Sequence, residues 1–246
     1  VNLLATIQAF CRRQALQVPT TVVGNTDPQI VQILALLEET GDDLASRGPW
    51  MGLQHTQSFT TLAAQQQSQF ATMGCKGFHY LLSYFLYDIT GKRIVAGPVE
   101  PNEWQLRTNA PTAGPRYAYR VQYGCLQISP VPPAGQTWTF DYVSRWWKGT
   151  VYSSDPELFP PAANLIESFT ADTNVFCFPS SLMLQGLRAR WKQEKGLGYA
   201  QDKDDYEIAV NNLMARDRGA SPIDMSEGGR QFAPGVFVPE GNWNIS

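Results

Sequence analysis

Charge is scarce in this chain. Of its 246 residues, 17% are Asp, Glu, Lys or Arg, against about a quarter in ordinary soluble domains. The 19 basic and 22 acidic residues leave a formal net charge of −3. That balance excludes a protein that wraps nucleic acid through a dense field of Lys and Arg, though not one past which DNA merely moves. Long hydrophobic runs are also missing. The most apolar stretch, residues 78–87, is broken by His79 and Ser83, and it falls short of the ~20 residues that a membrane-spanning helix needs. Near the start, Arg12 and Arg13 follow the apolar residues 3–10 instead of preceding them, so no secretory signal is expected. The four cysteines (Cys11, Cys75, Cys125 and Cys177) are scattered, with no Cys-x-x-Cys. Free buried thiols in a reducing cytosol are therefore expected.

Catalytic signatures are missing too. The two histidines, His55 and His79, form no His-Glu-x-x-His and no Cys/His ligand spacing, so no metal site is expected. Gly196-x-Gly198 lacks the third glycine of a dinucleotide loop and follows a helical pattern where a strand is required. Thr90-Gly91-Lys92 has Leu86 where a phosphate loop needs glycine, and reads as a hairpin turn. The carboxylate runs Glu38/Glu39, Asp42/Asp43 and Asp202/Asp204/Asp205 contain the raw material of a glycosidase acid/base pair. On helices, however, such runs are expected to form solvated polar faces.

What is present is a chain that is 43% hydrophobic, enough for a sizeable core. Leu3, Leu4, Ile7, Phe10 and Cys11 recur at helical spacing and predict a first amphipathic helix. Asp27 followed by Pro28 is a strong helix start, and Ile30, Ile33, Leu34, Leu37 and Leu44 form the apolar stripe of that second helix. Gly41 within it is expected to weaken or kink it. Residues 54–63 read as a strand, residues 65–67 open a polar loop, and residues 84–90 with 93–95 predict a hairpin. Residues 117–122, 125–129 and 137–144 predict a three-stranded meander. Helix returns at Pro179, and the Gly196-Leu197-Gly198 link predicts an antiparallel helix hairpin ending near Arg218. Arg145-Trp146-Trp147-Lys148 combines cations and aromatics. A strand end with tryptophan packed in the core is the first reading there, protein contact the second and nucleic acid the third.

The expected fold class is α+β: a mostly antiparallel helical bundle with an inserted β-rich module. Residues 1–50 would supply the N-terminal helix pair, 51–175 the β module and 176–218 the C-terminal helix hairpin. Residues 219–246 would form an extended arm. The arm carries Phe232, Val236, Phe237, Val238 and Trp243 among Gly and Pro, and a segment with no docking partner would not ordinarily retain such apolar residues.

An ordered series of motifs carries a family resemblance. It runs Leu16-x-x-Pro19, then Val22-Val23-Gly24-Asn25-Thr26-Asp27-Pro28-Gln29-Ile30, Leu34-x-x-Leu37 and Gly41-x-x-Leu44-x-x-Arg47-x-x-Trp50. Phe59-Thr60-Thr61, Ile94-x-x-Gly97-Pro98-Val99, Glu103-Trp104, Pro130-x-x-Pro133-Ala134-Gly135 and Phe140-x-Tyr142 follow. Phe169-Thr170-Ala171-Asp172-Thr173 and Leu187-x-x-Arg190-Trp191-x-x-x-Lys195-Gly196-Leu197-x-Tyr199-Ala200 complete it. Over about residues 2–218 the chain resembles the head-to-tail adaptor (head completion) proteins of short-tailed bacteriophages and related prophages. The resemblance implies a helical bundle with a β-rich insertion. It also implies a homo-oligomeric ring, a dodecamer, bound below the portal protein in the neck of a virion assembled in the host cytoplasm. Such a ring extends the channel for double-stranded DNA and offers a docking surface to tail nozzle and fibre proteins. No cofactor, membrane contact or catalysis is implied. Phe232, Val236, Phe237 and Trp243 are the expected portal anchors, and Arg188, Arg190 and Lys192 are the residues to examine for facing the channel. The alternatives are an adaptor-like peptidoglycan hydrolase and another tail component, such as a nozzle or tail-tube protein.

Overall fold

A computed structural model describes residues 2–82, 85–109, 116–150 and 162–217. The two N-terminal helices form where the sequence places them. Helix α1 (Leu3–Arg13) starts at Asn2, whose side chain accepts the Ala5 N–H at 2.9 Å, and it buries Leu3, Ile7, Phe10 and Cys11. Helix α2 (Pro28–Ser46) is capped by Asp27, which accepts from the Gln29 N–H. This satisfies one orphan donor of the first turn. Strands β1 (Gln54–Thr60), β2 (Gln66–Gln69), β3 (Phe78–Leu81), β4 (Phe85–Asp88) and β5 (Arg93–Ala96) follow, then helix α3 (Pro101–Asn109). Next come β6 (Ala118–Gln122), β7 (Cys125–Ser129), β8 (Thr137–Ser144), β9 (Lys148–Gly149), β10 (Leu165–Ile166) and β11 (Val175–Phe176). Helices α4 (Ser180–Glu194) and α5 (Ala200–Asp217) complete the described chain.

The expected architecture, a helical bundle with an inserted β module, is overturned by the sheet. Eight strands form one curled sheet, a half-barrel, in the order β1-β8-β4-β5-β6-β7-β2 with β3 also on β8, and the described residues contain five helices. The fold is mixed α/β and the sheet is its main body. Strand β8 is the hub. β1 pairs along it from Gln54↔Val143 to Thr60↔Thr137, and its other edge is shared by β4 and β3.

The predicted meander fails at the same point. β6 and β7 form a hairpin, but β8 leaves β7 and crosses to β1. Pro130, Pro132 and Pro133 lack the N–H groups that a continuing ladder needs. The loop they stiffen is pinned to the end of β1, where Thr61 Oγ1 donates to the Pro133 carbonyl at 2.7 Å and the Gly135 N–H donates to the Thr61 carbonyl at 2.9 Å. Of the expected polar loop at residues 65–67, Gln66 and Gln67 begin strand β2 instead. Gln67 is buried, and its amide is satisfied by the Leu62 N–H at 2.7 Å and the Ala64 carbonyl at 2.5 Å. Helix α3 was not anticipated. Its Trp104 is buried, with the Arg120 guanidinium of β6 4.5 Å from the ring.

The sheet packs its own core of rings. Phe59, Phe70, Tyr119, Trp138, Phe140 and Tyr142 form its core with Leu86, Val95, Leu126 and Ile128. A second core lies among α1, α2, α4 and α5, and it draws on residues far outside those helices: Leu53, Val143, Trp147, Phe169, Phe176 and Phe178. The two cores meet on one strand. Successive strand residues face opposite ways, so Tyr142 enters the sheet core while Val143 enters the helical one.

Trp147 is the deepest anchor of that join, 1% exposed, with Phe169 and Phe176 edge-on to it. Gly41 of α2 makes the room. A Cβ there would fall 2.1 Å from Trp147 Cζ2. The glycine expected to weaken the helix is the seat of the indole. Gly41→Ala should therefore destabilise the protein by about 1–3 kcal/mol through overpacking. Alanine at an open mid-helix site would instead gain about 1 kcal/mol. Urea unfolding measures the difference, and a raised midpoint would contradict this packing.

Candidate functional site

The acidic face of α2 is a set of ligatures. Glu38 Oε1 takes the Lys148 ammonium at 2.7 Å, and Asp42 Oδ1 accepts from Trp147 Nε1 at 2.6 Å. Glu39 pairs with Arg190. Asp43 accepts from Arg47 at 2.8 Å and lies 3.3 Å from the Tyr206 hydroxyl. The expected solvated face thus ties α2 to β9, α4 and α5. Arg47 also grips Glu207 with both terminal nitrogens, at 2.5 and 2.9 Å. The fork geometry suits two-point carboxylate recognition. It holds the Glu207 carboxyl below its ordinary value and raises the Arg47 guanidinium. Tyr206, buried and beside Asp43, has its phenol pushed up.

Where the two cores meet, a cleft of about 390 Å³ opens between the end of α2, β3 and the β8–β9 link. Asp42, Ser46, His79, Arg145, Trp146 and Glu167 are among its lining residues, with the edges of Trp147 and Lys148. The β8–β9 link is fixed to the turn before β3. The Arg145 N–H donates to the Gly77 carbonyl at 2.8 Å, and the Trp146 N–H donates to Ser144 Oγ at 2.9 Å. Ser144 Oγ in turn donates to the Lys76 carbonyl at 3.0 Å. A Cβ at Gly77 would fall 2.5 Å from Trp146 Cγ, so the indole lies against bare backbone there. The run Arg145-Trp146-Trp147-Lys148 is thereby divided. Trp147 and Lys148 are buried, as the core-packing reading expects, while Arg145 and the half-buried Trp146 line the cleft. His79, Ser46 and Glu167 reach it from distant segments, and no spacing in the sequence brings them together.

The three channel candidates each have a carboxylate partner within the chain, Arg188 and Lys192 sharing one. Arg188 pairs with Asp202 at 3.0 Å, Lys192 with the same carboxylate, and Arg190 with Glu39 and Asp43. Asp202 is thus the joint of the α4–α5 hairpin. Phe232, Val236, Phe237 and Trp243 lie outside the described residues.

His55 sits on β1 with its ring 5.7 Å from that of Tyr142, and burial holds its imidazole below the ordinary value. The thiols are unpaired. Burial pushes those of Cys75 and Cys177 up to about 12, which leaves them protonated and unreactive at neutral pH. The Thr90-Gly91-Lys92 segment is a hairpin turn, its Gly91 N–H donating to Asp88 Oδ1 at 2.7 Å. Among the described residues no three His, Cys, Asp or Glu side chains gather as a metal site would require.

The chain matches no protein-family model and no curated protein.

The Arg47 fork has a pH signature. A carboxyl depressed by folding contributes stability that is present above its unfolded value, ordinarily 4.5 for Glu207, and lost as pH falls through the lower folded value. Glu207 is 38% exposed, so solvent screening keeps the effect small. Glu207→Gln should therefore lower stability at pH 7 and flatten its decline below about pH 4.5. Urea midpoints across that range test this, and parallel wild-type and variant curves would contradict it.

Proposed function

We propose that this chain is a structural virion protein, a head-to-tail adaptor that forms a ring below a portal, extends the DNA channel and receives tail nozzle or fibre proteins. The observation that carries the reading is the ordered series of motifs along about residues 2–218.

Several motif residues bind one another across long separations. Asp172 Oδ1 accepts from the N–H groups of Val22 and Val23, at 3.0 and 2.8 Å. Within one motif Trp50 Nε1 donates to the Leu44 carbonyl at 2.6 Å, and the motif residue Trp191 meets Phe10 of α1 edge-on. Arg47, Gly41 and Arg190 belong to the joints already described. Some of the motif residues thus tie distant segments together.

Charge fits the same reading. A wall whose Arg190 is paired with Glu39 and Asp43, and whose Arg188 and Lys192 share Asp202, would grip passing phosphates less than three free cations would. The turns that follow β1 and β4 and precede β8 are assigned to the tail-protein contact. These turns are hydrogen-bonded to one another, with the Ile89 N–H on the Thr137 carbonyl and the Thr61 N–H on the Gln136 carbonyl. They carry Leu62, Ile89 and Val131, each about half exposed. Exposed apolar side chains on these turns suit a protein partner. The apolar residues Phe232, Val236, Phe237 and Trp243 are assigned to the portal contact, and a segment that orders only on binding would couple assembly to the portal's presence.

Mixing the purified chain with portal protein and imaging the product by electron microscopy tests this function. A ring capping the portal is expected, with no ring on the portal from a chain truncated after Gly219. Absence of any association by the full chain would overturn the adaptor reading. Normal attachment by the truncated chain would overturn the role of the arm alone.

A further inference from the structure

The cleft at the β8–β9 link has the features of a ligand site that a ring protein does not require. Its volume of about 390 Å³ falls at the lower end of the range for small-molecule pockets, roughly 300–1,000 Å³. Its walls combine the indoles of Trp146 and Trp147 with polar groups of both signs. Trp146 is held by the Gly77 backbone and by Ser144 before any ligand arrives, so ordering it costs little on binding.

The polar groups suit hydroxyls. Asp42 uses Oδ1 for Trp147 Nε1, which leaves Oδ2 as an acceptor. Ser46 Oγ donates to the Asp43 carbonyl and can still accept. Arg145 and Glu167 have no ion-pair partner among the described residues, and His79 completes the rim. The cleft has no cationic excess: Arg145 and Lys148 stand with Asp42 and Glu167, and Lys148 is already taken by Glu38. A site for phosphate or a nucleotide would show a cationic excess. A site for an apolar molecule would lack the carboxylates and the guanidinium.

We propose that this cleft binds a neutral saccharide. The C–H face of one sugar ring lies on Trp146, its hydroxyls donate to Asp42 and Glu167, and Arg145 donates to its ring or hydroxyl oxygens. The pairing follows from chemistry, because a sugar presents an apolar face and a belt of hydroxyls that both donate and accept. An indole flanked by carboxylates and a guanidinium meets both.

The full chain would be titrated with maltotriose, with chitotriose and with inorganic phosphate, following tryptophan fluorescence and backbone NMR shifts. Saturable binding of at least one trisaccharide is expected, with the shifts centred on residues 144–148 and 77–79. Affinity should fall about tenfold or more in Trp146→Ala and in Glu167→Gln. Glu167 is exposed, so Glu167→Gln remains informative should Trp146→Ala fail to fold. No saturable binding of either trisaccharide would overturn the proposal. So would binding unchanged in Glu167→Gln and in a folded Trp146→Ala, or phosphate binding at the cleft in preference to both sugars. None of these outcomes depends on whether the chain forms a ring on a portal.

Discussion

The seating of Trp147 on Gly41 is the contact on which the rest of the molecule depends. It fixes the far end of the strand that holds the sheet together, because β8 and the link after it run from the aromatic core of the half-barrel into the core of the helices. Glu38, Gly41 and Asp42 are three or four residues apart or adjacent, so they share one face of α2, and all three engage the same short stretch. Glu38 takes Lys148, Asp42 takes the indole N–H, and Gly41 leaves the space. The buried Lys148 ammonium is thereby paired, and it also lies 5.0 Å from the rings of Trp147 and Phe169. An uncompensated charge at that depth would be strongly destabilising. Trp146, next in line, is left at the mouth of the cleft by the same docking.

The scarcity of charge acquires a structural meaning in this frame. Seven of the chain's 19 Lys and Arg residues form ion pairs among the described residues, most of them joining separate elements. Much of the little charge available therefore serves as internal fastening and covers less of the surface than its number suggests. What faces outward on β1 and β8 is largely hydroxyl-bearing, with Thr56, Ser58 and Thr60 opposite Asp141, Thr139 and Thr137. Such a surface is solvated without repelling a neighbour of either sign.

The helices at both ends were legible in the sequence because their signals are local. Asp27-Pro28 announces α2, and the Gly196-Leu197-Gly198 link separates α4 from α5. The sheet was not legible as a body. Its longest pairing joins β1 to β8 across some 80 residues of chain, and no periodicity specifies which strand a strand will meet. The change in β8 from alternating burial to burial on both faces at Tyr142, Val143 and Ser144 marks the junction of the two cores. It reads in sequence as an ordinary strand end. Gly41 misled for a related reason. A glycine in a helix has a local cost, and the gain that offsets it comes from a tryptophan more than 100 residues away. Of the candidate site, the sequence singled out the residues of the β8–β9 link. The groups that face them across the cleft are assembled only by folding.

The central physical claim is that one strand welds two cores into a single cooperative unit. Native-state hydrogen exchange measures this directly, by comparing the slowest amides of the sheet core, around Leu126 and Ile128, with those of the helical core, around Ile33 and Leu187. The account predicts one shared opening free energy, equal to that of global unfolding, with the same denaturant dependence. Two separate ceilings, with the helices or the sheet opening alone well below the global value, would contradict it.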